Sequence, residues 1–260
     1  MTEFNTIEIE YDGPVGVLRL NKPENLNAMS LTMAEECLAA LDVLASRARA
    51  LIITGAGRAF CSGANLAGGM GQEGSESDFG LSLETHINPM MTRLRDLDIP
   101  WITAVRGAAA GVGCSVALAG DMIVASETAY FLQAFSRIGL VPDGGSTHLL
   151  ARSIGRVRAM EMMLLGERLP AATALEWGLV NRVVPDDMLE AEAMALAQRL
   201  ANGPASLGRT RRMVWGAIDM PWAEALASER SEQLHAGRSA DAAEGIAAFL
   251  EKRPAKFQGA

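Results

Sequence analysis

Two apolar runs that end in glycine turns constrain this chain most. Ala50-Leu51-Ile52-Ile53-Thr54 runs into Gly55-Ala56-Gly57, and Trp101 to Val105 runs into Gly107-Ala108-Ala109-Ala110-Gly111-Val112-Gly113. Short continuous apolar runs bounded by turn residues read as buried strands. Helical periodicity lies between and after them. Ser30 is a good N-cap for a helix to about Arg47, with Leu31, Ala34, Leu38, Leu41 and Leu44 at helical spacing. The pattern predicts further helices at about 81–97, 112–119, 147–154, 157–165 and 173–177, and strands at 121–125, 129–131 and 180–184. Residues 6–11 and 15–20, joined by Asp12-Gly13-Pro14, read as a hairpin. Beyond Asp186 the chain reads as helix to about Arg253, broken at Gly203-Pro204 and Met220-Pro221. The fold class that follows is an α/β core over residues 1–186 with a helical C-terminal region over 187–260.

Charge and cysteine usage narrow the function classes. The 260 residues carry 23 Lys and Arg against 31 Asp and Glu, a formal charge of −8, which argues against a broad nucleic-acid footprint. Two local basic groups, Arg209/Arg211/Arg212 and Lys252/Arg253/Lys256, read equally as solvated helix faces or anion sites. Cys37, Cys61 and Cys114 are an odd set without C-x-x-C spacing, as expected of free thiols in a reducing, cytoplasmic setting. The N-terminal residues show no signal-peptide pattern. The run from Trp101 to Ala119 is interrupted by Arg106 and several glycines, so it is read as strand, turn and helix, not as a membrane span. There is no H-E-x-x-H and no His/Cys cluster, so no metal is expected, and no G-x-G-x-x-G follows the first strand. The glycine-rich stretch from Ala67 to Gly80 is expected to be a mobile surface loop that closes over a ligand.

Three short stretches carry the chemistry. Gly139-Leu140-Val141-Pro142-Asp143-Gly144-Gly145 offers one carboxylate, Asp143, on a turn that opens a helix. Phe60-Cys61-Ser62-Gly63-Ala64-Asn65-Leu66 and the Gly107–Gly113 turn offer backbone N–H groups without an acid. Glycines allow a ligand close to the backbone, and a helix N-terminus presents unpaired N–H groups suited to a developing anion. Two donors on one thioester oxygen, with a single base, can make and quench an enolate. Asp143 also fits a helix N-cap. Gly113-Cys114-Ser115-Val116-Ala117 lies close to a nucleophile elbow, which would make Ser115 and His148 parts of a serine hydrolase. A packed or surface His148 and a merely small Ser115, leaving room for substrate, are the simpler readings. Met90 and Met91 could line an acyl pocket or fill the core.

These stretches, with Val116-Ala117-Leu118-Ala119-Gly120-Asp121, resemble the signature regions of the crotonase (enoyl-CoA hydratase/isomerase) superfamily over nearly the whole chain. Phe135 to Asp143 and Ala236-Gly237-Arg238-Ser239-Ala240-Asp241 are most similar to its phenylacetate-pathway isomerases, which convert ring-1,2-epoxyphenylacetyl-CoA to oxepin-CoA. The resemblance implies a ββα spiral core and a helical tail that trades contacts between subunits in trimers or hexamers. It implies oxyanion-hole amides at Ser62 and Val112 and a catalytic base at Asp143. Substrate and coenzyme A contacts would fall on Asn25, Leu26, Gly63, Ala64, Asn65, Leu66, Phe135, Phe249 and Lys252. Coenzyme A would enter as part of the substrate, with no permanently bound cofactor. The two hydratase glutamates would fall at Ser115 and Phe135, neither of them an acid. An acyl-CoA isomerase is therefore expected, with an enoyl-CoA hydratase, a serine hydrolase and a non-catalytic acyl-CoA-binding protein as alternatives.

Overall fold

The computed structural model describes residues 4–66 and 78–259. The expected hairpin forms from β1 (Ile7–Asp12) and β2 (Val15–Leu20), paired antiparallel from Ile7–Leu20 to Asp12–Val15. α1 (Leu31–Ala45) begins where the sequence predicts, with Ser30 Oγ accepting from the Met33 N–H at 3.1 Å. Its apolar face buries Met33, Ala34, Cys37, Ala40, Leu41 and Leu44, and the fully buried β3 (Ala50–Gly55) follows. The single helix expected at 81–97 is instead α2 (Phe79–Ser82), a π-helical turn at Leu83–Ile87, and α3 (Asn88–Arg95).

β4 (Trp101–Val105) leads through Gly107 into β5 (Ala108–Ala110), a short strand where the sequence predicts only a Gly/Ala turn. Then come α4 (Val112–Leu118), β6 (Met122–Ser126) and β7 (Tyr130–Leu132). A 3₁₀ turn over Ala134–Ile138 precedes α5 (Ser146–Ser153), α6 (Gly155–Leu165), β8 (Arg168–Pro170), α7 (Ala171–Glu176) and β9 (Arg182–Val184). The tail is α8 (Leu189–Ala201), α9 (Ser206–Ala217), α10 (Trp222–Ala236) and α11 (Ala240–Glu251).

The strands form a six-stranded sheet of order β1-β2-β3-β4-β6-β9, parallel except for the first pair, and a smaller sheet of order β5-β7-β8. The central parallel strands are apolar on both faces, as parallel strands covered by helices must be. Leu18, Leu20, Leu51, Ile53 and Val105 face the main core with α1, α3 and α4. Val15, Val17, Ile52, Ile102, Ala104 and Val124 face the other way, onto Leu189, Ala193, Leu196 and Ala197 of α8. The boundary expected at residue 186 therefore cuts through a shared core. The sheet needs α8 to cover its second face, so the core extends to Ala201.

The Arg209/Arg211/Arg212 group divides: Arg209 and Arg212 stay at the surface in ion pairs, and Arg211 turns inward. Arg211 is buried and bonds Asp121 at 2.7 Å, together with the carbonyls of Leu94, Arg95 and Leu97, while Arg209 pairs with Glu232 and Arg212 with Asp98. Trp215 Nε1 donates to the same Asp121, so α9 is locked onto the chain entering β4. In contrast, α10 and α11 leave Trp222, Ile246, Phe249 and Leu250 exposed, with Phe249 82% accessible in the single chain.

Removing one side of a buried ion pair strands the other, which typically costs 3–5 kcal/mol. Arg211→Ala is accordingly expected to lower the unfolding free energy by about 3–5 kcal/mol in urea titrations at fixed protein concentration. A change below about 1 kcal/mol would show that the lock contributes little.

Candidate active site

The two donor loops are held in register by backbone pairing. Cys61 bridges to Ala109 in parallel: the Cys61 N–H donates to the Ala108 carbonyl, and the Ala110 N–H donates to the Cys61 carbonyl, both at 2.9 Å. Gly113 tolerates this approach only without a side chain, because a Cβ there would lie 2.6 Å from the Cys61 carbonyl oxygen. Gly111 turns the chain at φ 51°, ψ −129°, a conformation open essentially to glycine, and Val112 follows as the first residue of α4. The N–H groups of a helix's first turn have no carbonyl within the helix to bond, so the Val112 amide is available.

The other donor is not Ser62, as the resemblance implies. The Ser62 N–H already donates to the Leu26 carbonyl at 3.0 Å, and Ser62 Oγ to the Asn25 carbonyl at 3.3 Å. Two residues on, Met29 donates to the Gly63 carbonyl and accepts from the Asn65 N–H, forming a parallel bridge centred on Ala64. In such a bridge the central residue's own N–H points away from its partner. The Ala64 N–H thus faces the opposite side from Met29, where Ala110 and Gly111 lie against Gly63. Buried Asn27 ties this turn in place, its Nδ2 donating to the carbonyls of Ala56 and Ala59 at 2.9 and 2.8 Å.

Asp143 completes the arrangement. It shares a cavity of about 490 Å³ with Ser62, Gly63, Ala64, Leu66, Gly111, Val112 and Phe135. The remaining wall is mostly apolar, including Phe79, Leu83, Ile138, Leu140 and Val141, and Asp143 supplies the only carboxylate among the described lining residues. The N-cap reading of Asp143 does not hold: α5 starts after Gly145 and has no side-chain cap. Asp143 Oδ1 is instead buried without a hydrogen-bond partner. Burial alone raises its carboxyl pKa from 3.8 to about 6, since desolvation penalises the charged form.

Ser115 does not line the cavity. It lies fully buried beneath the Asp143 turn, its Oγ donating to the Asp143 carbonyl at 2.9 Å. Ser146 Oγ donates to the same carbonyl at 2.9 Å. Gly144 makes room for Ser115, because a Cβ on Gly144 would lie 2.8 Å from Ser115 Cβ. A hydroxyl spent on a backbone carbonyl is no nucleophile. His148 lies 4.0 Å from Asp219 at the surface and makes no bond to Ser115, so the hydrolase arrangement is not assembled.

The remaining expected contacts divide. Gly63, Ala64, Leu66 and Phe135 lie on the cavity wall, whereas Asn25, Leu26 and Asn65 support it through backbone bonds. Phe249 and Lys252 lie on the tail, away from the wall. Arg253, grouped with Lys252 in the sequence, bonds Glu244 and Glu251 and is committed within the tail. Met90 is a core residue, and α2 with its π-helical continuation supplies the wall in its place through Phe79, Ser82 and Leu83. The expected mobile loop from Ala67 to Gly80 lies largely outside the described residues. Among the described residues no helix is long and apolar enough to cross a membrane.

Comparisons with known proteins agree with this geometry. Residues 10–260 match the enoyl-CoA hydratase/isomerase family. The chain is 42% identical to the 1,2-epoxyphenylacetyl-CoA isomerase of Escherichia coli K12, over 100% of both chains. It is 40% identical to a protein named probable enoyl-CoA hydratase from Rhodobacter capsulatus, over 98% of this chain and 99% of that one. The crystal structure of an enoyl-CoA hydratase subunit from Geobacillus kaustophilus superposes with a TM-score of 0.91 at 38% identity, covering 100% of both chains. The chain therefore has the crotonase fold and belongs to the enoyl-CoA hydratase/isomerase family of enzymes that act on acyl-CoA.

Proposed function

We propose that this enzyme is an acyl-CoA isomerase in which Asp143 is the single base and the Ala64 and Val112 amides form the oxyanion hole. The observation that carries the reading is an unpaired, desolvated carboxylate in a cavity whose described walls hold no second acid. Hydration needs a water to be oriented and deprotonated as well as a proton delivered to carbon, and Phe135 makes that part of the wall apolar. Isomerisation needs less. Asp143 takes the proton from the carbon next to the thioester, and the electron pair moves onto the thioester oxygen. The Ala64 and Val112 N–H groups hold that oxyanion. Asp143 then returns the same proton two carbons further along as the double bond moves into conjugation. The hole can equally stabilise charge developed as a ring epoxide opens. The E. coli relative's name supports ring-1,2-epoxyphenylacetyl-CoA as a substrate, the R. capsulatus relative's name points to hydration, and the single carboxylate among the described lining residues favours the first.

General-base catalysis typically supplies about 10²–10⁴ in rate. Asp143→Asn should slow turnover at least about a hundredfold with KM little changed. In the wild-type enzyme, kcat/KM should fall about tenfold per pH unit below about 6, as Asp143 takes up a proton, and level off above about 7. Retained activity in Asp143→Asn would remove this carboxylate from the mechanism.

We further propose that Phe249 and Lys252 serve the coenzyme A end of a substrate bound by a neighbouring copy, in trimers or paired trimers. The exposed apolar faces of α10 and α11 support this assembly, and the overall charge of −8 leaves the phosphates dependent on local cations. Ending the chain after Ala248 should raise KM for acyl-CoA and reduce the assembly's size on a sizing column. Unchanged affinity and size would contradict the assignment.

A further inference from the structure

Ser82 is a polar group that the proposed proton transfer does not use. It ends α2 immediately before the π-helical turn, lines the same cavity as Asp143, and is only 4% accessible. Its hydroxyl has no hydrogen-bond partner among the described residues. Thr85, one turn on, shows the usual helical solution, with its Oγ1 donating back to the Leu81 carbonyl at 2.7 Å. Ser82 makes no such bond. Among the described residues, the side-chain polar atoms sealed without a partner belong to Trp101, Gln133 and Asp143, so Ser82 Oγ is not sealed.

An unpaired hydroxyl in an apolar wall is costly unless something completes it. No described residue does. Asp143 Oδ1 has no partner and so takes no bond from Ser82. Ser62 Oγ is occupied by the Asn25 carbonyl. Ala64 and Val112 lie on the paired glycine loops, whereas Ser82 comes from a separate element of the wall, flanked by Phe79 and Leu83. The acyl group of a ligand that fills this cavity would share it with Ser82.

We infer that Ser82 is a specificity-determining residue that donates a hydrogen bond to a neutral oxygen on the acyl group, so that the pocket selects oxygenated acyl-CoA substrates over plain hydrocarbon ones. This rests on the assignment of the cavity to the acyl group. A ligand that fills the space without an oxygen leaves the hydroxyl unsatisfied, and sites built to hydrogen-bond a substrate discriminate against analogues that lack the partner.

The test is binding of two ligands with no double bond to migrate, phenylacetyl-CoA and (2-hydroxyphenyl)acetyl-CoA, by titration calorimetry on the full-length protein. The wild type should bind the hydroxylated ligand about tenfold more tightly. Ser82→Ala should bring the two affinities within about twofold, and Ser82→Thr, which keeps the hydroxyl, should retain the preference. Equal wild-type affinities, an unchanged preference in Ser82→Ala, or binding of neither ligand would overturn the inference. Because no turnover is read, failure of the isomerase assignment shows separately, in the Asp143→Asn kinetics.

Discussion

The parallel pairing of Cys61 with Ala109 is the constraint on which the site depends. Without it the loop after β3 and the turn into α4 would be separate features of the surface. With it, Gly63 lies against Ala110 and Gly111, and Ala64 and Val112 line one cavity. The pairing is possible because glycine stands at 107, 111 and 113. A side chain at Gly107 would collide with the Arg58 carbonyl, and one at Gly113 with Cys61. The small sheet of β5, β7 and β8 fixes the second loop from its other side, through the Gly111 N–H to the Leu132 carbonyl at 2.9 Å. Preorganised donors of this kind need no rearrangement as charge develops, which is the source of their catalytic value.

The carboxylate is held by its backbone and left bare at its side chain. Ser115 and Ser146 both donate to the Asp143 carbonyl, fixing the turn while nothing described bonds Oδ1. The cost appears as a linkage. In the unfolded chain Asp143 would lose its proton near 3.8, and in the folded protein near 6. Between those values the folded state holds a proton that the unfolded state has released. Stability contributed by this group is therefore greatest below about 3.8, falls as pH rises to about 6, and stays level above. At neutral pH the fold thus carries an ionised group that opposes it, as the proposed role of Asp143 as a base requires.

Much of the fold was legible because it rests on local rules. The β1–β2 hairpin, the Ser30 cap of α1 and the apolar β3 and β4 runs each appear where periodicity and turn residues put them. Asp143 and Val112 were legible as candidates because one stands on a glycine turn and the other opens a helix, and both line the cavity. What was not legible depends on pairing between distant segments. The Ser62 amide is consumed by the Leu26 carbonyl, 36 residues earlier, which leaves Ala64 as the proposed donor. Ser115 reads as a small cavity residue until the Asp143 turn is seen packed over it. Arg211 reads as a surface cation until Asp121, 90 residues away, is seen to hold it, and α8 reads as tail until it is seen to cover the sheet. Ser82 carries no sequence signal, since only the unsatisfied hydroxyl in the folded wall distinguishes it.

The central claim is that one desolvated carboxylate facing two backbone amides moves protons along an acyl chain and does not add water to it. The most direct measurement compares, on one preparation, the rate of double-bond migration in a 3-enoyl-CoA with the rate of crotonyl-CoA hydration. The account predicts isomerisation faster than hydration by at least about a hundredfold, the contribution typical of a missing general acid or base. A hydration rate equal to or above the isomerisation rate would contradict it and would place a second acid in the pocket.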